Sequence, residues 1–540
     1  MGLKERASLV VVRTLVVCAI AASAVAWGGL TAPVSAGAVI PTDRGPVRGF
    51  DTPTEKEYLG IPYAAAPVGD LRWRAPQPHA RWNTPLDATH FANHCPQVGS
   101  PFGSASTTED CLYLNVYTPN HGPGKGHAKR LPVMFWIHGG GLTVGESDDY
   151  DPTRLVQQGR VVVTLNYRLG YLGFLAHSAL SAESATHGSG DYGFMDQQAA
   201  LRWVKRNISK FGGDPGNVTI FWQSAGGLSV NVHLTSPLSA GLFQRAISQS
   251  GAYAQNLPSL SQAENAGATT ALNVGCQDQT AQCLRSTPVT TLLASQPTGG
   301  LPITPNVDGH VLTMSPGAAF ESGQFNRVPV IVGTTHDEFT IFAALNVEIE
   351  MGIPLGLLPG SLYPYVVGLF TSTLGISATP DAIVEQYPLS QYQDNIGVAL
   401  SAIGTDSLFS CPGRKAVRAL SQYVPTWAYE FNDPNAPQPF APPVSFPYGA
   451  YHASELAYLF DSTTIAPGHA TFTPDQEKLA AAMVSYWTQF AGAGDPNSST
   501  TPNWPNYTAA NDTYQSLVPP APQPETGFAA DHRCAFWDAQ

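Results

Sequence analysis

Two short stretches of this chain carry the residue types needed for acyl transfer. The first is Val218-Thr-Ile-Phe-Trp-Gln-Ser224-Ala-Gly-Gly, an apolar run that stops at a serine and continues in small residues. A strand that turns sharply into a helix at a serine lifts the hydroxyl out of the sheet. The backbone N–H groups that follow, Ala225 first, then sit at a helix start, where negative charge is favoured. Taken alone, the segment equally fits a serine capping a helix. The second stretch is His138-Gly139-Gly140-Gly141, directly after the apolar run Leu131 to Ile137. Consecutive glycines let the N–H groups of Gly140 and Gly141 approach a substrate oxygen closely. A lone glycine triplet is an ordinary turn. After a buried strand and upstream of a serine elbow, it reads as an oxyanion hole, which needs two or three such donors.

Elements that could position these groups are visible in the pattern. Leu112 to Val116, Leu131 to Ile137, Val161 to Leu165, Val218 to Trp222 and Val328 to Val332 are continuous apolar runs ended by glycine or polar turns. Such runs predict strands buried on both faces. Asp196 to Ile208 and Asp475 to Phe490 carry apolar residues at helical spacing. Strands alternating with helices predict an α/β sheet. Residues 339–450 are less regular, rich in Gly, Pro and aromatics, and read as insertions over one end of that sheet. No repeat of 20–50 residues is visible.

Composition narrows the function classes. The 540 residues are 43% hydrophobic and 12% charged, which excludes a disordered chain. A formal net charge of −13 gives a nucleic-acid partner no footprint. Lys4, Arg6 and Arg13 precede an apolar run from Thr14 to Ala26, and small residues end at Val34-Ser35-Ala36. This pattern predicts a secretory signal over residues 1–36, with Ala26 the alternative cleavage point. The apolar run is too short for a membrane anchor. The expected protein is therefore exported, with no stable membrane anchor. Beyond Cys18, six cysteines remain: Cys95, Cys111, Cys276, Cys283, Cys411 and Cys534. An even set in an exported chain suggests disulfides, with fifteen possible connectivities. Proximity favours Cys95–Cys111 and Cys276–Cys283, leaving Cys411–Cys534. No CxxC or His-Glu-x-x-His appears, so no metal and no cofactor are expected.

Ordered motifs along most of the chain carry a resemblance. They include Tyr58-Leu-Gly-Ile-Pro-Tyr63, Leu71-Arg-Trp-Arg74, Glu109-Asp-Cys-Leu-Tyr-Leu-Asn115, Asn166-Tyr-Arg168, Asp196-Gln-Gln, Phe211-Gly-Gly-Asp-Pro215, Gln249-Ser-Gly251 and Cys534-Ala-Phe-Trp537. With them, the chain resembles the type-B carboxylesterase family, which includes cholinesterases and fungal lipases. The resemblance implies an α/β-hydrolase fold: a mostly parallel twisted sheet flanked by helices, one catalytic domain over 37–540. It implies a triad of Ser224 as nucleophile, Glu338 as acid and His452 as base, with Asp337 the neighbouring candidate acid. It implies Gln223 and Ser250 as supporting groups near His452, and the disulfide pairing that proximity also favours. A neutral His452 predicts activity that falls below about pH 6–6.5.

The chain departs from the family pattern at the elbow. Trp222 stands where glycine is usual, and must point away or widen the turn. Gln223 stands where many members carry Glu. The loop Pro96 to Asp110 holds Phe102 as its one aromatic, which gives weak support for a quaternary-ammonium site. Phe339, Phe342, Tyr363 and Tyr365 are candidates for the wall of an apolar gorge. The expected partner is a small-molecule carboxylic ester. The competing readings are a non-catalytic adhesion relative with a degenerate elbow, and a serine peptidase on the same fold.

Overall fold

The apolar runs are strands of one sheet in the computed structural model of the chain, which describes residues 35–120, 130–252, 255–297, 304–461 and 472–540. The first part of the sheet is built from β1 (Ser35–Pro41), β2 (Pro46–Asp51), β3 (Glu55–Pro62), the short β4 (Leu86–Asp87) and β5 (Tyr113–Pro119). Its central part is β6 (Leu131–Ile137), β7 (Val161–Leu165), β8 (Gly213–Gln223), β9 (Arg245–Gln249), β10 (Val330–Thr335), β11 (Thr426–Phe431) and β12 (Tyr514–Leu517). The last strand is β13 (Gln523–Glu525). The order is β1-β2-β3-β5-β7-β6-β8-β9-β10-β11-β12-β13, with β4 beside β2. All pairs from β7 through β6 to β12 are parallel, as is the short β2–β4 pair, whereas β1–β2, β2–β3, β3–β5, β5–β7 and β12–β13 are antiparallel. Helices flank this mixed, mostly parallel sheet. It is the α/β sheet expected from the strand–helix alternation, in the α/β-hydrolase architecture that the resemblance implies.

The helices that matter for the site are α1 (Tyr192–Asn207), α2 (Ala225–Thr235), α3 (Tyr363–Leu374), α4 (Cys411–Leu420) and α5 (Pro474–Ala493). Helix α2 is buried on every side, as its nearly uniform apolar and small composition requires. Helix α5 starts with a reciprocal Thr473–Gln476 capping box and ends at Gly494 in the left-handed region. Arg168, just after β7, is buried and grips Asp196 of α1 through two 2.7 Å hydrogen bonds.

Inside residues 339–450, one stretch is not insertion at all. Thr426–Phe431 is β11, fully buried between β10 and β12. The rest of that span packs a second apolar cluster around Tyr363, Val367, Ile383, Tyr387, Ile396 and Ile403. The described residues form one compact unit. Most of the leader read at residues 1–36 lies outside the described residues. Ser35 and Ala36 are the first two residues of β1, opposite Asp51 and Phe50. The three disulfides are Cys95–Cys111, Cys276–Cys283 and Cys411–Cys534. Among the described residues, no helix is long and apolar enough to cross a membrane.

Candidate active site

Strand β8 ends at Gln223, and Ser224 follows with φ 62° and ψ −131° before α2 begins. A positive φ on a non-glycine residue costs about 1–3 kcal/mol and persists where the surroundings enforce it. Here the enforcement is visible. Ser224 N–H donates to the Gln249 carbonyl at 2.9 Å, and Leu228 N–H donates to the Ser224 carbonyl at 3.1 Å. Gly227 and Gly251 touch so closely that a Cβ on either would lie within 2.5 Å of the other's backbone. The serine therefore sits on a tight turn between strand and helix.

Trp222 points away and leaves the turn intact. It remains paired with Ser248 of β9 and is fully buried, with Tyr167 edge-on at 5.8 Å. Its indole lies over Gly226, where an added Cβ would fall 1.1 Å from Nε1. The glycine usual before the serine is absent, and Gly226 makes the room instead.

The glycine loop lies against the elbow. A Cβ on Gly139 would stand 3.0 Å from the Gln223 carbonyl oxygen and 3.3 Å from Ser224 Cβ. Gly140 and Gly141 have φ of 100° and 63°. Among the described residues, no hydrogen bond takes up the N–H of Gly140, Gly141 or Ala225. The loop is braced from behind by the segment that the first disulfide closes. Gln97 makes two hydrogen bonds with the Gly145 backbone, at 2.7 and 3.0 Å. His94 lies 2.9 Å from both Glu146 and Asp148. Hydrogen bonds to Asp148 and Glu146 push the His94 imidazole up to about 10, so it is charged at neutral pH.

Glu338 and His452 meet across the end of the sheet. Glu338 follows β10 and is fully buried; its Oε1 accepts the Thr335 N–H at 2.9 Å, and its Oε2 binds His452 Nδ1 in a short hydrogen bond. Asp337 is spent elsewhere: Oδ2 accepts the Ala450 N–H at 2.8 Å, and Oδ1 faces His336 Nδ1 at 3.0 Å. Gln223 reaches the other side of the imidazole, its Nε2 3.1 Å from His452 Nε2. Ser250 is buried with φ 52° and donates its N–H to the Gly333 carbonyl at 2.7 Å. Its hydroxyl makes no hydrogen bond to His452 among the described residues.

A carboxylesterase-family profile matches residues 36–537. The chain belongs to the carboxylesterase family. This carboxylesterase is 36% identical over 516 residues to a fumonisin B1 esterase of Sphingopyxis macrogoltabida, covering 90% of this chain and 89% of that one. It is 34% identical over 473 residues to an acylcarnitine hydrolase of Mus musculus, with 83% and 81% covered. It is 33% identical over 501 residues to a para-nitrobenzyl esterase of Bacillus subtilis (strain 168), with 89% and 94% covered.

The carboxylesterase's sequence left part of this site unannounced. Phe409 lies 5.2 Å from the His452 ring, beside Phe342 at 4.9 Å. Phe409 belongs to a π-helical turn, Thr405–Ser410, whose Thr405 accepts the Phe339 N–H at 3.0 Å. Of the four aromatic wall candidates, Phe339 and Phe342 adjoin the site. Tyr363 is buried in the second apolar cluster, donating to the Tyr387 carbonyl at 2.7 Å, and Tyr365 is 66% exposed. Glu455 is the other group that spacing did not single out. It is buried behind Glu338 and accepts from Gln249 at 3.2 Å. Burial and the Glu338 charge push it up to about 8, so it holds a proton at neutral pH.

Proposed function

We propose that this carboxylesterase is an exported serine hydrolase that cleaves small carboxylic esters through an acyl-enzyme on Ser224. The observation that carries the reading is the buried His452 imidazole, bound to Glu338 at Nδ1 and 3.1 Å at Nε2 from the side chain of Gln223, the residue before Ser224. Glu338 holds the proton at Nδ1, so Nε2 is the basic nitrogen. As Ser224 Oγ attacks the ester carbonyl, Nε2 takes the hydroxyl proton. The oxygen that gains charge is received by the N–H groups of Gly140, Gly141 and Ala225, which protein acceptors leave free among the described residues. His452 then returns the proton to the leaving alkoxide. Water attacks the acyl-enzyme by the same route in reverse. Phe339, Phe342 and Phe409 give the acyl or alcohol part an apolar wall, which fits an uncharged ester.

The test is hydrolysis of p-nitrophenyl acetate, butyrate and octanoate by protein made in an oxidising compartment. Ser224→Ala is expected to lower kcat/KM by at least about 10³-fold. An organophosphate should label the wild type at Ser224 and leave the variant unlabelled. Equal turnover by folded wild type and Ser224→Ala would overturn the reading.

A further inference from the structure

The aspartate at the start of α1 does not cap the helix. Asp191 precedes Tyr192, where an aspartate usually accepts an N–H of the first turn. Its side chain makes no such bond. Oδ1 instead accepts the Asn306 N–H at 3.3 Å, and Oδ2 has no hydrogen-bond partner among the described residues. Asn306 is anchored to the same segment a second time, its Nδ2 donating to the Ser189 carbonyl at 2.9 Å. That bond fixes which end of the amide carries the oxygen, and Oδ1 is left bare. Two residues on, Asp308 Oδ1 accepts the N–H groups of His310, Val311 and Leu312 at 2.9, 2.7 and 3.0 Å, and Oδ2 is again bare. Asp191, Asn306 and Asp308 are 0, 1 and 8% exposed. Two glycines make room for them. A Cβ on Gly188 would stand 3.0 Å from Asp308 Oδ2, and one on Gly190 would stand 2.5 Å from Asn306 Nδ2.

Three buried oxygens without donors thus gather against residues 188–191. Two belong to carboxylates, and burial with the neighbouring Asp308 charge disfavours an ionised Asp191. Among the described residues, no lysine, arginine or histidine side chain bonds either acid. Buried acceptors of this kind are satisfied by a cation. The set holds no nitrogen or sulfur, which points to a hard ion. Calcium takes carboxylate, amide and backbone oxygens in irregular arrangements, whereas magnesium demands an octahedron and keeps its waters. We propose that Asp191 Oδ2, Asn306 Oδ1 and Asp308 Oδ2 are side-chain ligands of a calcium ion that fastens the start of α1 to the segment 306–308. Backbone carbonyls and water complete its shell. Asn306 and Asp191 stand 115 residues apart, so no sequence spacing announces the group. Helix α1 also carries Asp196, the partner of Arg168, so the ion steadies the helix that holds the chain after β7. The site is independent of the ester reading.

The experiment uses the whole enzyme, stripped with a chelator and then given calcium chloride at about 1–10 mM, above the roughly 10⁻⁴–10⁻³ M affinities of extracellular sites. Bound calcium is measured by elemental analysis after gel filtration, and stability by thermal melting. Wild type should bind about one calcium per chain through this site. Its melting temperature should rise by about 2 °C when free calcium exceeds Kd by about 100-fold. Asp191→Asn, which keeps the shape and removes one charge, should bind no calcium there and show no calcium-dependent shift. In chelator it should melt at or above stripped wild type, because the repulsion between the two acids is gone. Asp308→Asn serves in its place if that variant does not fold. A wild type that neither binds calcium nor shifts would overturn the proposal and leave the two acids sharing a proton. Binding and a shift that persist undiminished in Asp191→Asn would also overturn it, and would place the ion elsewhere, with His94, Glu146 and Asp148 the next cluster to test. An equal shift with magnesium chloride would overturn the assignment to calcium.

Discussion

At the scale of single residues, the elbow shows how a departure from a motif is absorbed. A tryptophan two residues before the serine reads as an obstruction, because the usual glycine there relieves a steric clash. The obstruction is removed by a glycine on the far side of the serine. Trp222 and Gly226 thus form one steric unit, and their substitutions should not be additive. Gly226→Ala places a methyl group inside the indole and should destabilise beyond the roughly 1–3 kcal/mol of ordinary overpacking. Trp222→Ala alone should cost about 3–5 kcal/mol as a cavity. The double variant should be more stable than the sum of the two losses predicts. Denaturant unfolding of all four proteins measures the coupling, and simple additivity would refute the pairing. This accommodation was not legible in the sequence, since it depends on which way an indole turns in three dimensions. Ser224, Glu338 and His452 each stand in an ordered local motif that the sequence displays, and the structure puts Ser224 on the turn and joins Glu338 to His452.

At the scale of elements, legibility followed burial pattern. Strands such as Leu131–Ile137 and Val161–Leu165 are continuous apolar runs and have the bounds that the pattern predicts. Strand β11 was missed because Thr-Trp-Ala-Tyr-Glu-Phe carries a charge in its middle, inside a Pro- and aromatic-rich span. The charge is buried and paired: Glu430 and Asp406 clamp His532 from both sides, Asp406 at 2.6 Å from Nδ1. This clamp ties β11 to the π-helical turn that carries Phe409 to the His452 ring, so it braces the wall of the site from a distance. Burial alone would lower the His532 imidazole, but the Glu430 and Asp406 charges win and push it up to about 10. An unfolded histidine titrates near 6.5. The folded group is raised, so its stabilisation is complete below about pH 6.5 and is lost as pH rises toward about 10. The melting temperature of the wild type should therefore fall across that window more steeply than that of His532→Gln. The variant starts lower, because two buried carboxylates have lost their partner. Parallel curves would show that the clamp does not titrate with folding.

At the scale of the whole molecule, the cross-links bear on stability very differently. The Cys276–Cys283 bond spans 7 residues and Cys95–Cys111 spans 16, each closing a local loop. Cys411–Cys534 spans 123 residues, and joins the start of α4 to the C-terminal turn beside His532. Between its two ends lie β11, β12, helix α5 and His452 itself. If a cross-link acts by restricting the unfolded chain, its effect grows with the logarithm of the loop it closes. The three bonds are then worth about 5, 3 and 2.5 kcal/mol, in order of falling span. Paired Cys→Ser variants should lose melting temperature in that same order, with Cys411→Ser/Cys534→Ser the most damaged. Its loss should also reach the proposed active site, because the chain it constrains includes both His452 and the strand that braces Phe409. The expected result is inactivation by organophosphate that slows at temperatures where the other two variants still react at the wild-type rate. If the Cys95–Cys111 variant slows first instead, the brace behind the glycine loop, through Gln97 and His94, matters more than chain restriction.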